Sequence, residues 1–194
     1  MHTIYINLME EDIVQCLKIL NEGGIILYPT DTVWGLGCDA TNAEAVDKIF
    51  ALKNRPANKS LVILVADERA ILNYTAGVDL EIFNYLDNIT QPTTVIYDNA
   101  INLASNVPAA DGSVAMRICN ETFCKHLIKR FRKPIVSTSA NISGIAAPAI
   151  FKDISPTIIN GVDYVVRYRQ DDETIASPSK IIRWNNGEVE VLRK

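Results

Sequence analysis

The sequence predicts an α/β fold: a single domain in which helices flank a twisted, mixed β-sheet. Three observations lead to this prediction. Apolar strand-like runs alternate with amphipathic helical segments through most of the chain. The run LVILV at 61–65 is apolar at every position, which is typical of a strand covered on both faces. Towards the C-terminus strand-like runs follow one another, which favours antiparallel pairing beside the parallel strands.

The first predicted elements follow from residue spacing. TIYIN at 3–7 alternates like a strand, and residues 10–21 carry apolar side chains at helical spacing. Gly23-Gly24 ends that helix, and IILY at 25–28 has the composition of a buried strand. The first 28 residues therefore predict strand, helix, strand.

A capping box predicts the next helix. Thr41 stands three residues before Glu44, so we expect Thr41 to be the N-cap of a helix that runs to about Leu52. Asn186-Gly187 predicts a hairpin turn before the strand EVEVLR. The other predicted elements are strands at 61–65, 93–97, 113–118, 134–138, 163–168 and 180–184, and helices at about 67–73, 79–88 and 121–131.

The composition is that of an ordinary globular protein. The chain has 194 residues. Since a typical domain has about 150 residues, we expect one domain, residues 1–194. No run approaches the ~18 apolar residues of a membrane helix, and the N-terminus does not resemble a signal peptide, so we expect no membrane contact and a cytoplasmic location. Acidic residues outnumber basic ones by 23 to 19, which argues against a general nucleic-acid coat.

The chain lacks the residues that several kinds of catalytic and metal-binding site require. His2 and His126 are the two histidines, and neither is well placed for a Ser-His-Asp or Cys-His site. The four cysteines have no CxxC spacing and no HExxH is present, so we expect no metal bound by protein side chains. The chain has no GxxxxGK[ST] motif, which excludes a P-loop nucleotide-binding site.

Polar residues follow apolar strands at three places, and strand ends are where α/β sheets bind ligands. The first place is the loop over 28–37, in which Thr30, Asp31 and Thr32 offer two hydroxyls and one carboxylate to a polar ligand. A turn whose side chains bond their own backbone is an equally good explanation of this loop.

The second place is the segment 53–60, and the third is the segment 137–144. Lys53, Arg55 and Lys59 in the second suit a triphosphate, although cations at a helix C-terminus also favour the helix dipole. The third is rich in Ser, Thr and Asn and ends in glycine. Such a loop can cradle a phosphate or a carboxylate, or be an ordinary surface loop.

Two further features involve basic residues. Arg117 lies near the end of an apolar strand and needs an anionic partner, which is either a protein carboxylate or a substrate carboxylate. A basic run near the end of the predicted helix 121–131 either contacts RNA phosphates or forms a solvated face. Its members are Lys125, Lys129, Arg130, Arg132 and Lys133.

Taken in order, YPTDTVWGLGCDA, KNRPANKSLVILV and STSANISG resemble the motifs of the YrdC-like family, over nearly the whole chain. The family signatures KxR and SxN correspond to Lys53/Arg55 and Ser139/Asn141. The best-known members are threonylcarbamoyl-adenylate synthases, which convert L-threonine, bicarbonate and ATP into threonylcarbamoyl-adenylate and pyrophosphate. The resemblance implies this reaction, an α/β fold with a large concave cavity lined by positive charge, and Mg²⁺ accompanying ATP.

The resemblance also implies partners and site residues. A separate tRNA threonylcarbamoyl transferase complex would take the intermediate, and weak direct contact with RNA is possible. On the threonine side the resemblance places Thr32, Arg117, Ser137 and Ser179. On the nucleotide side it places Lys53, Arg55, Asn58, Thr94, Ser139, Asn141, Ala147 and Arg193. We expect Lys53 and Arg55 to stabilise the phosphates during catalysis.

The chain departs from the family pattern at some positions. Thr90-Gln91-Pro92-Thr93-Thr94 stands where many members have PGPxT, and Leu64 stands where some have histidine. Three alternatives stay open: a non-catalytic RNA-binding module, a carbamoyl-transfer domain and a paralogue with another nucleotide-dependent substrate. Salt-dependent RNA affinity that needs neither ATP nor threonine would indicate the first.

Overall fold

A computed structural model describes residues 2–55, 60–185 and 187–194, and it describes side chains from residue 6 onward. The strands are β1 Ile26–Tyr28, β2 Gly35–Gly37, β3 Val62–Val65, β4 Thr93–Tyr97, β5 Val114–Ile118, β6 Ile135–Ser139, β7 Tyr164–Val165, β8 Lys180–Asn185 and β9 Glu188–Arg193. The helices are α1 His2–Asn21, α2 Ala43–Leu52, α3 Glu68–Tyr74, α4 Glu81–Asp87, α5 Thr122–Phe131 and α6 Pro156–Asn160, with a 3₁₀ turn at Phe151–Asp153.

The described strands form one mixed sheet in the order β7-β1-β2-β6-β3-β5-β4-β8-β9. The neighbours β1 and β7, β3 and β5, and β4 and β8 are parallel, and the other neighbours are antiparallel. The predicted fold class is therefore confirmed. The apolar run at 61–65 supplies β3 at the centre of the sheet, as expected for a strand covered on both faces.

The two faces of the central sheet have different characters. Register partners on one face are at most 1% exposed and belong to the hydrophobic core: Ile63, Val95, Met116, Val136 and Ile182. Because successive side chains of a strand point to opposite faces, their chain neighbours lie on the other face. Those neighbours include Thr94, Arg117 and Ser137, so the register places three predicted site residues on the same side of the sheet.

The N-terminal segment is helical where the alternation of TIYIN predicts a strand. α1 runs through this segment without interruption, so the predicted strand over 3–7 is wrong and the predicted helix over 10–21 is confirmed. The buried carboxylate of Asp12 anchors α1, since it accepts hydrogen bonds from the backbone N–H groups of Arg167 and Tyr168 at 2.9 and 2.8 Å. Five alternating residues are a weak signal, and extension of an anchored helix outweighs it.

α2 begins one residue later than the capping-box prediction. Its N-cap is Asn42, whose side-chain oxygen accepts a hydrogen bond from the N–H of Ala45 at 3.2 Å. The hydroxyl of Thr41 instead donates to Asp39 Oδ1 at 2.7 Å, and Asp39 also pairs with Lys133 at 2.6 Å. The predicted cap at Thr41 is therefore wrong, because a neighbouring carboxylate holds that hydroxyl.

Short elements differ most from the predictions. β2, α6 and the 3₁₀ turn lie outside every predicted element, and β7 is far shorter than the predicted strand over 163–168. Asn186 of the predicted hairpin turn lies outside the described residues. On either side of it β8 and β9 pair antiparallel, and Gly187 has φ +87°, in the left-handed region that glycine favours.

Candidate active site

A cavity of about 370 Å³ lies on the face of the sheet that carries Arg117 and Ser137. Its volume falls within the roughly 300–1,000 Å³ of small-molecule sites. The three predicted binding loops and the C-terminal hairpin supply its walls. The predicted site residues in its lining are Thr32, Arg55, Arg117, Ser137, Ser139, Asn141, Ala147, Ser179 and Arg193.

Arg117 is the buried cation for which the sequence predicts an anionic partner. Its Nη2 lies 3.0 Å from Asp31 Oδ1 and donates a hydrogen bond to Thr32 Oγ1 at 3.2 Å. Its Nε is buried and has no hydrogen-bond partner among the described residues. A protein carboxylate therefore balances the charge of Arg117. Only Nη2 of the guanidinium group contacts protein acceptors in the described structure, so other N–H groups of Arg117 remain for a ligand.

A second cavity of about 680 Å³ begins on the other side of Asp31. It lies beyond the ends of β3 and β5 and is lined by Asp31, Asn120 and Glu121 among others. Apart from Asp31, no candidate ligand residue of the three predicted loops lines it within the described residues, and neither do the predicted threonine-side or nucleotide-side residues. The smaller cavity is therefore the candidate site, and the pair of Asp31 and Arg117 stands where the two cavities approach each other.

Lys53 ties the end of α2 to the loop that follows β6. Its buried ammonium donates hydrogen bonds to the carbonyl oxygens of Ser139 and Asn141, the latter at 2.5 Å. The N–H of Ser143 donates back to the carbonyl oxygen of Lys53 at 2.8 Å. Burial lowers the pKa of Lys53 to about 8, and the charge of Arg55 acts in the same direction. Lys53 thus joins two of the predicted loops from behind the cavity lining.

Arg55 and Arg193 add two more guanidinium groups to the lining. Arg55 Nη2 donates to the carbonyl oxygen of Ser60 at 2.7 Å, and burial lowers the pKa of Arg55. Arg193 donates from Nε and Nη2 to the carbonyl oxygen of Ser179 at 3.1 and 2.8 Å. Burial, followed by the charge of Arg117, lowers the pKa of Arg193. The three arginines give the cavity a strongly cationic lining.

A β-bulge directs Arg193 towards the cavity. Arg193 is the register partner of Ile181, whereas Val191 is the partner of Ile182, so Leu192 is the extra residue in β9. An extra residue shifts the alternation of side chains between the two faces. Arg193 consequently shares the face of Ile181, which itself lines the cavity.

Besides Lys53, two predicted nucleotide-side residues are not seen in the lining. The hydroxyl of Thr94 is hydrogen-bonded to the Ser179 hydroxyl at 2.8 Å, and Thr94 is fully buried behind Ser179. Asn58 lies outside the described residues. Thr94 therefore contacts a lining residue without lining the cavity itself. The nucleotide-side role of Asn58 stays a prediction.

The cavity lining is suited to anions. Within the described residues it contains three arginines and neither aspartate nor glutamate. The side-chain oxygen Oδ1 of Asn141 has no hydrogen-bond partner there, because the amide nitrogen is turned to the carbonyl oxygens of Ile142 and Ile145 at 3.1 and 2.6 Å. In the described part of the chain, no group of three or more His, Cys, Asp or Glu residues could hold a metal ion.

Some residues of the lining have no site role that the sequence predicts. Trp34 packs its ring against Phe151 at 4.8 Å between centroids, and Ser60 and Pro178 complete the walls. Each of them lies within or next to a predicted loop or site residue, and this closeness in sequence is the signal that could have identified them. Of the helices in the ranges that the structure describes, none is long and apolar enough to cross a membrane.

The family model Sua5_yciO_yrdC, described as "Telomere recombination", matches residues 18–194. The chain belongs to the Sua5/YciO/YrdC family. The predicted family is thus confirmed. Among similar proteins, the threonylcarbamoyl-AMP synthase of Saccharophagus degradans is 36% identical over 136 residues, which cover 70% of this chain and 71% of that protein. The protein of the same name from Idiomarina loihiensis is 31% identical over 171 residues, which cover 86% of this chain and 90% of that protein.

Solved structures of the family share the fold. P. abyssi Sua5 complexed with L-threonine superposes with a TM-score of 0.82 at 23% identity, over 93% of this chain and 53% of that chain. The present chain therefore spans about half the length of the P. abyssi protein. E. coli YciO gives a TM-score of 0.80 at 19% identity, over 94% of this chain and 88% of that chain.

Proposed function

We propose that the chain is a threonylcarbamoyl-AMP synthase, which makes threonylcarbamoyl-AMP and pyrophosphate from L-threonine, bicarbonate and ATP. The observation that carries this proposal is the cavity, which joins Arg117 and its unpartnered N–H to the guanidinium groups of Arg55 and Arg193. Arginine suits carboxylates and phosphates, and this substrate set brings one carboxylate and three phosphates. Curated relatives that carry this name, at 31% and 36% identity, support the proposal.

The chemistry requires positioning and charge stabilisation. The threonine amine loses a proton and forms a C–N bond with the carbon of bicarbonate, which releases water and leaves a carbamate. A carbamate oxygen then attacks the α-phosphorus of ATP, and the bond to pyrophosphate breaks. Arg117 would hold the carboxylate, and Arg55 and Arg193 would stabilise charge on the phosphates. The cavity walls would shield the carbamate from water.

We propose that Mg²⁺ enters with ATP. Mg²⁺ prefers oxygen ligands and keeps several waters when it is bound through phosphates, so it needs few protein groups. Asn141 Oδ1 fits this requirement, because it belongs to a lining residue and is a buried oxygen without a hydrogen-bond partner in the described structure. When bound, the ion would neutralise part of the phosphate charge. Lys53 stays a predicted phosphate ligand, and its contacts with Ser139 and Asn141 support a role in placing this loop.

Pyrophosphate release by the purified chain tests the proposal. Release should require ATP, Mg²⁺, L-threonine and bicarbonate together. Arg117→Gln should raise KM for threonine, and Arg193→Gln should raise KM for ATP, each by about 10–100-fold, the cost of a lost hydrogen bond to a charged group. Arg183→Gln is the matched control, because Arg183 lies on β8 but pairs with Asp98 and Asp111 outside the cavity. Release without threonine would contradict the proposal.

The RNA-binding alternative has less support. In the basic run near the end of α5, Arg130 pairs with Glu10 at 2.7 Å, and Lys133 pairs with Asp39 at 2.6 Å. Those pairs neutralise part of the positive charge that would attract RNA phosphates.

We propose a cytoplasmic enzyme that passes its product to a tRNA threonylcarbamoyl transferase. Absence of pyrophosphate release, together with tight salt-dependent RNA binding, would favour the alternative.

A further inference from the structure

A small hydrogen-bond network lies directly behind the cavity. Thr30 is buried and does not line the cavity, whereas Thr32 does. The hydroxyl oxygen of Thr30 lies 2.7 Å from the carbonyl oxygen of Val33. It also lies 3.0 Å from both the hydroxyl oxygen and the backbone nitrogen of Thr32. Arg117 Nη2 lies 3.2 Å from the Thr32 hydroxyl oxygen on the other side.

Counting donors fixes the direction of each bond. A hydroxyl has one proton to donate and two lone pairs with which to accept, whereas a carbonyl oxygen only accepts. Thr30 must therefore give its proton to Val33, and the Thr32 hydroxyl must donate to Thr30. Arg117 has only donors, so the Thr32 hydroxyl accepts from it. The proton of Thr32 is then committed, and one lone pair is all that this hydroxyl offers to the cavity.

We propose that Thr30 is a positioning residue that makes Thr32 a hydrogen-bond acceptor towards the amino-acid substrate. This inference rests on the proposed function and extends it to the orientation of the substrate. The carboxylate lies at Arg117, whose Nε–H lacks an acceptor in the described structure. A donor group of the amino acid, its hydroxyl or its amine N–H, lies at Thr32. A carboxylate placed at Thr32 would meet a lone pair instead of a proton and be rejected.

Substitution of Thr30 tests the positioning role. Thr30→Val keeps the shape but removes the acceptor of the Thr32 hydroxyl, whose proton is then able to turn towards the substrate. We expect KM for L-threonine to rise about tenfold, as for a lost hydrogen bond of about 1.4 kcal/mol, while KM for ATP stays unchanged. Thr30→Ser keeps the hydroxyl and should restore KM for threonine. Equal effects on both KM values, or no restoration by serine, would overturn the inference.

The Thr30 hydroxyl also accepts a hydrogen bond from the backbone N–H of Thr32, so substitution of Thr30 could disturb the loop. A second experiment therefore leaves Thr30 unchanged. Calorimetry compares the binding of L-threonine, L-2-aminobutyrate and 3-hydroxybutyrate to the unchanged chain and to Thr32→Val. Weakening of threonine and 3-hydroxybutyrate alone identifies the hydroxyl as the donor, and weakening of threonine and 2-aminobutyrate alone identifies the amine. Either result supports the inference. Equal weakening of all three ligands would place the carboxylate at Thr32 and overturn it, as would no weakening.

Pyrophosphate release by the unchanged chain distinguishes failure of the proposed function from failure of the orientation inference. If release does not depend on threonine, the proposed function fails, and the orientation inference fails with it. If release depends on threonine but Thr30→Val leaves KM for threonine unchanged, the orientation inference alone fails.

Discussion

The pair of Asp31 and Arg117 is largely shielded from solvent, and this decides how much it contributes to stability. The side chains are 11% and 5% exposed, and their charged atoms lie 3.0 Å apart. The pair of Lys152 and Glu173 is also in contact, but both side chains are 63% exposed. Solvent screens the exposed pair, whereas loss of one partner in the buried pair leaves an unbalanced charge inside the protein.

Asp31→Asn should therefore lower the free energy of unfolding by about 3 kcal/mol, because it leaves the Arg117 guanidinium buried without an anion. Glu173→Gln, the matched control, should lower it by less than ~1 kcal/mol. Urea unfolding of the two variants and the unchanged chain measures both values. Similar losses in the two variants would contradict the role of Asp31 as the balancing charge.

Lys53 should give the stability of the protein a measurable pH dependence. Burial lowers its pKa from 10.5 in the unfolded chain to about 8. Between these values the unfolded chain binds more protons, so the free energy of unfolding should rise with pH. The rise should reach at most about 1.4 kcal/mol per pH unit. Lys53→Met removes this contribution, and urea unfolding at several pH values between 8 and 10 measures the difference. Parallel profiles for the two proteins would contradict the lowered pKa.

The residue types of the site were predictable, but many of their contacts were not. The sequence shows that Arg117 needs an anion, yet it does not say whether Asp31 or a substrate provides it. Lys53 looks like a phosphate ligand because of its neighbours Arg55 and Lys59. That role stays a prediction. The contact of its ammonium with the carbonyl oxygen of Ser139, 86 positions later in the chain, was not predictable, because side-chain composition does not show where backbone carbonyls lie.

Elements with a clear apolar pattern were predicted, and elements without one were not. α5 and β3 match their predictions to within one residue because several buried positions specify each. β2 has three residues, two of them glycines, so it carries no strand-like pattern. Gly37 is needed for close approach, since a Cβ there would lie 2.5 Å from the Tyr28 ring and 2.9 Å from a backbone oxygen.

The start of α2 offers a direct test of the observed cap. Asn42→Ala removes the acceptor of the Ala45 N–H and should lower the free energy of unfolding by about 1 kcal/mol. Glu44→Ala is the control, because a capping box at Thr41 would need Glu44, whereas the observed cap does not. Its effect should stay within about 0.5 kcal/mol, as for an exposed surface position. Chemical denaturation measures both variants, and a larger loss from Glu44→Ala would restore the predicted cap.

The molecule assembles its cavity from segments that are far apart in the sequence. The loop after β1, the loops around α2 and β6, and the β8–β9 hairpin meet on one face of the sheet. The alternation of helices and strands predicted a mixed sheet. It did not predict that β8 joins β4 in parallel and brings Ser179 and Arg193 to Arg117. Strand order depends on non-local pairing, which periodicity within a segment does not encode.

The chain between β7 and β8 leads from one edge of the sheet to the far side, where β8 lies next to the last strand. Thr32, in the loop between β1 and β2, and Arg193, at the end of β9, consequently share a cavity although most of the sheet lies between these strands. A ligand that contacts both residues connects two distant parts of the polypeptide. Local unfolding at either side of the sheet would therefore destroy the binding site. Occupancy by ligand is then linked thermodynamically to the cooperative unfolding of the whole molecule and not to the opening of one loop.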